Sequence, residues 1–191
     1  MTEEQLVTAV FKRAANAETR TDYARLRPRE IGPAATPELI KATEQNLGFT
    51  LHPLHRRLLE TVGNGGFGPG DGLVGTANGS LDVEGRSLSD LGEALWPNAK
   101  VTLVPLCDWG DGIWSCIDAV TGSVITMSEF GLFDIGQSLQ SWLEKWVTGE
   151  NLWQQIVVLE TTSIRNPLTK EFVAVPIVVG MKGERYIPGA R

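Results

Sequence analysis

A run of glycines separates the helix-like first third of this 191-residue chain from the remainder. Residues 63–72 read GNGGFGPGDG, so six of the ten positions are glycine. A glycine inside a helix or strand costs roughly 0.5–1 kcal/mol relative to alanine, and so dense a run excludes both elements. The run therefore predicts a loop, and at least one of Gly65 and Gly66 is expected to adopt a positive φ after a helix.

Three helices are predicted in the first 62 residues. Each begins at a capping residue or a proline and then repeats apolar residues at three- or four-residue spacing. The expected spans are 2–17, opened by the capping box Thr2-Glu3-Glu4-Gln5, 36–47, opened by Thr36-Pro37 and closed by Gly48, and 52–62, opened by His52-Pro53. The charged stretch 18–30 between the first two helices predicts a loop or a weak helix.

After the loop the residue pattern changes from helical to strand-like. Short runs rich in valine, isoleucine and threonine cover 101–106, 113–117 and 123–127, with the turn sequences DWGDG and DAVTG between them. Consecutive strands joined by short turns form an antiparallel meander. Helices are predicted over 88–95 and 138–149 on either side of these strands. This order predicts an α+β fold in which a mixed, largely antiparallel sheet is flanked by helices.

The C-terminal part of the chain carries weaker patterns. Residues 152–159 are expected to continue helically, whereas 172–179 is strand-like. Pro176 interrupts the strand-like run and has no N–H to donate to a sheet ladder. The run is therefore predicted to lie at a sheet edge.

The chain is acidic, with 23 acidic and 17 basic residues and a net charge of −6. A sequence-independent grip on phosphate backbones needs clustered lysine and arginine, so direct nucleic-acid binding is not expected. The acidic balance instead favours the attraction of a basic partner. No run approaches the roughly 18 apolar residues that cross a bilayer, and the N-terminus lacks an apolar leader segment. The protein is therefore predicted to be cytoplasmic and not membrane-bound.

Four residues with soft or aromatic side chains are assigned to the core. Cys107 and Cys116 are predicted to be buried, reduced thiols, because two cysteines do not make a disulfide framework. A turn directly after Cys107 would place it opposite Ile113 and leave Cys116 out of register for a bridge. Trp142 and Trp146 lie on the apolar stripe of the last predicted helix.

The glycine run also matches the dinucleotide pattern GxGxxG, beginning at Gly63. That pattern needs a strand before it and a helix after it, whereas here a helix leads in and Pro69 follows the last glycine. A helix-ending turn is therefore favoured over a nucleotide site, and no cofactor is predicted. No GxSxG sequence surrounds any serine, so a serine nucleophile is not indicated.

Two further groups of residues suggest metal or acid–base chemistry. Asp108, Asp111 and Asp118 lack the ligand spacing of a calcium loop and are assigned to turns. His52 and His55 are the two histidines, and without an HExxH sequence a solvated or capping role is favoured over a zinc site or a general base. No catalytic residue and no metal are predicted.

Two blocks of the sequence carry a recognisable order of motifs. The first, NLGFTLHPLHRRLLETVGNGG, is a helix ending in Leu-Gly, a short Leu-Pro-like step, a second helix and then Asn-Gly-Gly. The second is an apolar strand, a Gly-Asp turn and another strand, followed by the helix from Ser138. The signature is carried by Leu47, Gly48, Asn64, Gly65 and Gly66. Together the two blocks resemble the SUKH superfamily over 35–147, although His52 stands before Pro53 where the family usually has proline directly after leucine.

The resemblance implies a division of the chain and a function. An N-terminal helix and connecting segment (1–34) would precede a SUKH-like domain (35–149) and a C-terminal extension (150–191), packed on or appended to that domain. The domain would be a non-catalytic binding module, most often an immunity protein that neutralises a nuclease- or deaminase-type toxin by direct binding. A regulatory or scaffold protein of the cell-wall-regulator type is an alternative. A hydrolase, which would need His52 or His55 for turnover, is a third.

Four residues are the candidates for contact with such a partner. Asp108, Asp111 and Glu84 would supply acidic side chains near exposed turns for a basic toxin. Trp109 falls inside the predicted DWGDG turn, where a large ring is a possible binding anchor. The interpretation favoured for Trp109, however, is that its ring folds back over the sheet.

Overall fold

A computed structural model describes residues 1–22, 30–96 and 101–188 of the chain. The described helices are α1 (Glu3–Ala14), α2 (Pro37–Leu47), α3 (Pro53–Thr61), α4 (Leu88–Leu95), α5 (Leu139–Thr148) and α6 (Trp153–Ile156). The described strands are β1 (Leu103–Gly110), β2 (Ile113–Asp118), β3 (Ser123–Ser128), β4 (Gly131–Ser138), β5 (Val157–Arg165), β6 (Phe172–Met181) and β7 (Glu184–Arg185). The fold is α+β, as predicted. The prediction for 18–30 falls mostly on 23–29, which lie outside the described residues.

Local capping signals set the ends of the helices. The predicted box at α1 is present, since the Thr2 N–H donates to Gln5 Oε1 at 2.9 Å and the Gln5 N–H donates to Thr2 Oγ1 at 3.2 Å. Gly48 closes α2 in the left-handed conformation at φ 80°. Helix α1 is shorter than predicted because Asn16 Oδ1 accepts from the Glu18 N–H at 2.9 Å, a turn that replaces further helix.

The main sheet has the strand order β1-β2-β3-β4-β7, and every pair of strands in it is antiparallel. The predicted meander of β1, β2 and β3 is confirmed. Strand β4 was not predicted, because its sequence GLFDIGQS is interrupted by glycines and polar residues and is only half-buried. Helix α5 packs against α1, α3 and the sheet, and its Trp142 and Trp146 are fully buried. The prediction that both tryptophans belong to the core is therefore confirmed.

The predicted helix over 152–159 is correct only for its first half. Helix α6 ends at Ile156, and the chain then enters β5, which pairs with β6 in a separate two-stranded antiparallel sheet. The β-branched pair Val157-Val158 favours the strand, and pairing with β6 overrides the weak helical pattern. Pro176 is tolerated because each strand of a two-stranded sheet keeps one free edge.

The glycine run forms a loop, but the loop lies inside the molecule. Residues 62–76 are all buried. The Val74 N–H donates to the Leu106 carbonyl at 2.8 Å, and the Asp71 N–H donates to the Asp108 carbonyl at 3.0 Å. These bonds lay the loop along the free edge of β1, so its backbone polar groups have partners although no regular element is formed.

Asn64 holds this buried loop together. Its Oδ1 accepts from the Thr76 N–H at 2.8 Å, and its Nδ2 donates to Thr76 Oγ1 at 3.0 Å. The backbones of Gly32, Gly75 and Gly79 pass so close that a Cβ on any of them would lie 2.3–2.6 Å from an atom of Asn64. The Asn-Gly-Gly signature is therefore structural. The Asn64 side chain links its own segment to the segment around Thr76, and the neighbouring backbone comes this close to Asn64 only because it has glycines there.

Replacing Asn64 with alanine is expected to lower the free energy of unfolding by about 2 kcal/mol, because the buried Thr76 N–H loses its acceptor. Urea unfolding followed by tryptophan fluorescence measures the loss. Asn46→Ala, at an exposed position of α2, is the matched control and should change stability by less than about 0.5 kcal/mol. Equal effects of the two substitutions would contradict a structural role for the Asn64 amide.

Candidate protein-binding site

A groove of about 840 Å³ opens beside the tip of the β1–β2 hairpin. One side is formed by the β1–β2 and β3–β4 turns, and the other by the base of the β5–β6 hairpin. The acidic side carries Asp108, Asp111 and Glu129, and the apolar side carries Leu159, Pro176 and Val178. We call this the acidic groove. It combines carboxylates that attract a basic segment with aliphatic surface that can be buried against it.

Two tryptophan rings contribute to the lining of the acidic groove. Trp109 and Trp153 line it together, with ring centroids 5.9 Å apart and an interplanar angle of 37°. Trp109 is only 4% exposed, and its Nε1 donates to Ser115 Oγ at 2.8 Å. The placement of Trp109 inside a turn was wrong, because β1 continues to Gly110 and the ring lies back over the sheet. Its service as an anchor for a partner stays a prediction.

The turn between β1 and β2 positions two of the predicted acidic residues. Asp108 Oδ1 accepts from the Gly110 N–H at 2.7 Å, so this half-buried carboxylate also shapes the turn. Asp111 is exposed at the tip with φ 53°, a left-handed conformation that aspartate and asparagine tolerate. Both carboxylates therefore reach the acidic groove from a rigid turn.

The acidic groove also includes a carboxylate that the sequence analysis missed. Glu129 lies in the turn between β3 and β4 and lines the groove with Asp108 and Asp111. The sequence did contain a turn signal, the serine at position 128. In the structure Ser128 Oγ accepts from the Phe130 N–H at 3.2 Å, as such turns require. Because β4 was not predicted, the turn that joins β3 to β4 was not predicted either.

Glu84 differs from the other predicted contact residues. It pairs with Arg86 at 2.8 Å, and Arg86 also pairs with Asp82 at 2.7 Å. The hydrogen bond that Arg86 Nε donates to Asp82 Oδ2, followed by the charges of Asp82, Glu84 and Asp108, raises the pKa of Arg86. Its neighbour Val83 lines the acidic groove, so Glu84 lies at the margin with its charge already compensated.

The lining of the acidic groove contains no lysine, arginine or histidine among the described residues. Arg86 lies outside this lining but close enough to Asp108 for that charge to contribute to its raised pKa, and its guanidinium is paired with Asp82 and Glu84. The whole chain carries a net charge of −6, which extends the same negative field around the groove. The site favours a cationic partner over an anionic one.

The third aspartate of the calcium hypothesis lies elsewhere. Asp118 pairs with Leu103, at the opposite end of the β1–β2 hairpin from Asp111. Its Oδ1 accepts from the Val120 N–H at 2.9 Å, and its Oδ2 accepts from Tyr186 Oη at 3.1 Å. Throughout the part of the chain that the structure describes, no three His, Cys, Asp or Glu side chains form a cluster suited to a metal ion.

The expectation of a solvated or capping role was wrong for His55, whereas His52 is half-buried and stands at the N-cap position of α3. His55 is fully buried, and neither of its ring nitrogens has a hydrogen-bond partner in the described part of the chain. Burial, and then the nearby His52, lower the pKa of His55 to about 4, so the ring is neutral at pH 7. His52 precedes α3 without a side-chain capping bond. Because His55 faces the interior, it does not reach a substrate in solution.

The two cysteines are buried and are free thiols. Their predicted register was wrong, since Cys107 lies opposite Ser115 and Cys116 lies opposite Pro105. Irregularities in β1 between Pro105 and Cys107 and between Asp108 and Gly110 cause the shift. Burial raises the pKa of both thiols, which suppresses the nucleophilic thiolate at neutral pH.

Fold and site together define an α+β domain with an acidic groove beside the β1–β2 hairpin. A family model described as the SMI1 / KNR4 family (SUKH-1) matches residues 34–145, more than half of the chain, so the chain belongs to this family. The signature residues Leu47, Gly48 and Asn64 to Gly66 lie inside the match. The β5–β6 hairpin and β7 lie beyond it.

Family membership limits the functional class more than the identity of a partner. Domains of the SMI1 / KNR4 family are generally non-catalytic, and membership fits an immunity-like or a regulatory module. No curated protein matches the chain. In the described residues, no helix is both long enough and apolar enough to span a bilayer.

Proposed function

We propose that this protein is a cytoplasmic immunity protein that neutralises a cognate toxin of the nuclease or deaminase type by direct, non-catalytic binding. The observation that carries the proposal is membership of the SMI1 / KNR4 family over 34–145. The acidic groove supports it, because a toxin that acts on nucleic acid carries basic side chains for phosphate contacts.

The acidic groove suits inhibition by occlusion. Asp108, Asp111 and Glu129 compete with phosphates for the same lysine and arginine side chains of a toxin. Leu159, Pro176 and Val178 add apolar surface that is buried only when a partner is seated. The charges would set the rate of association, and the apolar contacts would set the rate of dissociation. No bond in the toxin needs to be made or broken.

Co-expression with a candidate toxin domain, sought first in the adjoining reading frames, tests the function. The toxin alone should arrest growth, and this protein should restore it and co-purify with the toxin at 1:1 stoichiometry. A toxin with an inactivated active site should still co-purify, since binding does not depend on turnover. Persistent growth arrest, with housekeeping proteins as the captured partners, would favour the regulatory alternative.

The double variant Asp108→Asn with Asp111→Asn is expected to associate with that toxin on the order of tenfold more slowly at low salt. Its association rate should also depend less on salt, because two charges of the acidic groove are removed. Asparagine retains an acceptor for the Gly110 N–H and tolerates the left-handed conformation at position 111. Surface plasmon resonance over a salt series measures both effects.

A charge-matched control separates the acidic groove from the general negative field. Glu18→Gln with Glu93→Gln removes the same number of charges from exposed positions outside the groove. This control should change the association rate by less than about twofold. If the two double variants behave alike, the contact surface lies elsewhere.

A further inference from the structure

The β5–β6 hairpin carries more exposed large apolar side chains than the rest of the described chain. Fourteen large apolar residues are exposed, and eight of them lie between positions 158 and 179. They are Val158, Leu159, Ile164, Leu168, Phe172, Val173, Ile177 and Val179. An isolated two-stranded ribbon is marginal in water, and a concentrated apolar patch on a monomer usually marks an interface.

The register divides this apolar surface between two faces. Ile164 lies opposite Val173, and Thr162 lies opposite Val175. Because side chains alternate along a strand, these four positions share one face of the ribbon with Glu160 and Ile177, which lie nearer its base. We call the part formed by Thr162, Ile164, Val173 and Val175 the aliphatic face. The other face carries Leu159 opposite Val178, two residues that line the acidic groove. Ile177, on the same face as these four residues, also lines the groove, whereas the aliphatic face itself lies nearer the hairpin turn and does not line it.

Strand β6 lacks the usual protection of an exposed strand. Its ten residues, FVAVPIVVGM, include no charged side chain. Exposed strands of monomeric proteins generally carry lysine or other charges that prevent pairing with further chains. Pro176 removes one N–H from the edge but leaves both faces apolar. A face of this kind suits burial against a second apolar face.

The charge of the β5–β6 hairpin indicates what kind of partner binds its aliphatic face. The hairpin 157–181 carries Glu160 and Glu171 against Arg165 and Lys170, so its net charge is zero, whereas the whole chain carries −6. A basic toxin is drawn to the acidic parts of the surface and gains no electrostatic advantage at a neutral ribbon. Two copies of the chain repel each other through their acidic surfaces. This repulsion is weakest where their neutral β5–β6 hairpins meet. The neutral apolar patch therefore matches a second copy of itself.

We propose that two copies of this chain associate through the aliphatic faces of their β5–β6 hairpins, packed about a twofold axis. The same patch on both copies then meets itself, as an isologous contact requires. Nine paired positions give a ribbon about 30 Å long, which is a small interface. The dimer is therefore expected in the micromolar range and not as a permanent assembly. The acidic groove stays open in each copy.

Sedimentation velocity of the full chain from roughly 5 to about 200 µM tests the proposal in a concentration range suited to weak interfaces. The wild type should shift from monomer toward dimer as its concentration rises. Val173→Glu should remain monomeric throughout, because it places a charge on the aliphatic face of each copy. Val120→Glu is the control, since Val120 is a 76% exposed valine outside the hairpin, and it should dimerise like the wild type.

A mixing experiment keeps the test valid if a substitution disturbs the hairpin. Val173→Lys alone should also be monomeric, and an equimolar mixture with Val173→Glu should restore a species of dimer mass. A misfolded hairpin in either variant cannot produce that rescue. A wild type that stays monomeric at every concentration, or a dimer that persists in Val173→Glu, overturns the proposal. Because no toxin is present, either result leaves the proposed immunity function to its own test.

Discussion

Gly65→Ala is expected to lower the free energy of unfolding by roughly 3 kcal/mol or more, because a side chain there meets backbone that cannot move away. Gly65 has φ 80°, and a Cβ would lie 2.6 Å from both the Gly75 nitrogen and the Leu73 carbonyl oxygen. These atoms belong to the buried loop and have partners of their own. The substitution combines left-handed strain with a steric clash in the core.

Gly85 separates these two costs. It has the same φ of 80°, but a Cβ there has nothing within 4 Å. Gly85→Ala should therefore show only the conformational cost of about 1 kcal/mol. Urea unfolding of the two variants at one temperature gives the comparison. Losses of equal size would mean that the buried loop can relax around a methyl group.

Gly66 offers a stronger version of the same experiment. Its φ is 86°, and a Cβ would lie 2.2 Å from the Glu30 carbonyl oxygen. Gly66→Val adds a branched side chain at a position where even a methyl group clashes with backbone. This variant is expected to be insoluble or unfolded at 37 °C, which circular dichroism and expression level would register.

The protein is expected to lose about 3 kcal/mol of stability through His55 alone as the pH falls from 6.5 to about 4. The pKa of this ring is about 4 in the folded protein, against an ordinary value of 6.5. Below pH 6.5 the unfolded chain therefore binds a proton that the folded protein excludes. This contribution is absent above that range, grows as the pH falls, and becomes constant below pH 4.

His55→Leu isolates this effect from the titration of carboxylates. Leucine fills the buried position of the imidazole with a side chain of similar volume that does not titrate, so stability at pH 7 should change by less than about 1.5 kcal/mol. The difference between wild type and variant should then shift in favour of leucine by about 3 kcal/mol between pH 7 and pH 4. Urea unfolding at half-unit pH steps measures it. If the two curves stay parallel, His55 is protonated without cost and is not buried as described.

His52 provides the matched control for that experiment. Desolvation lowers its pKa in the same direction, while the nearby charge of Glu3 raises it. His52 is only partly buried, so His52→Gln should flatten the pH dependence less than His55→Leu does. The order of the two variants tests whether depth of burial is the controlling factor.

The two sides of the acidic groove come from different parts of the chain. Asp108, Asp111 and Glu129 lie within the region that matches the family, whereas Leu159 and Val178 lie on the hairpin beyond it. The proposed site therefore joins a family scaffold to an element outside the family match. Changes in the hairpin would alter partner choice without disturbing the buried loop that holds the domain together.

Local signals made some elements predictable. Thr36 and Ser138 each accept from the N–H three residues later, and Gly48 and Gly149 end the same helices at φ 80° and 85°. These interactions span at most five residues, so the sequence pattern contains every group involved. The Asn-Gly-Gly signature was recognisable for the same reason, although its role was not.

The sequence by itself determined the well-capped helices, the glycine loop, the first three strands and the family. Only the tertiary structure decided that the loop is buried along β1 and that residues 157–165 form a strand. It also decided that β1 is irregular, so that Cys107 pairs with Ser115. It also decided that Glu129 and the hairpin join Asp108 and Asp111 in one groove. The physical reason is the sequence separation of the interacting groups, because caps and turns form between residues only a few positions apart. Burial, register and the groove depend on partners tens of residues away.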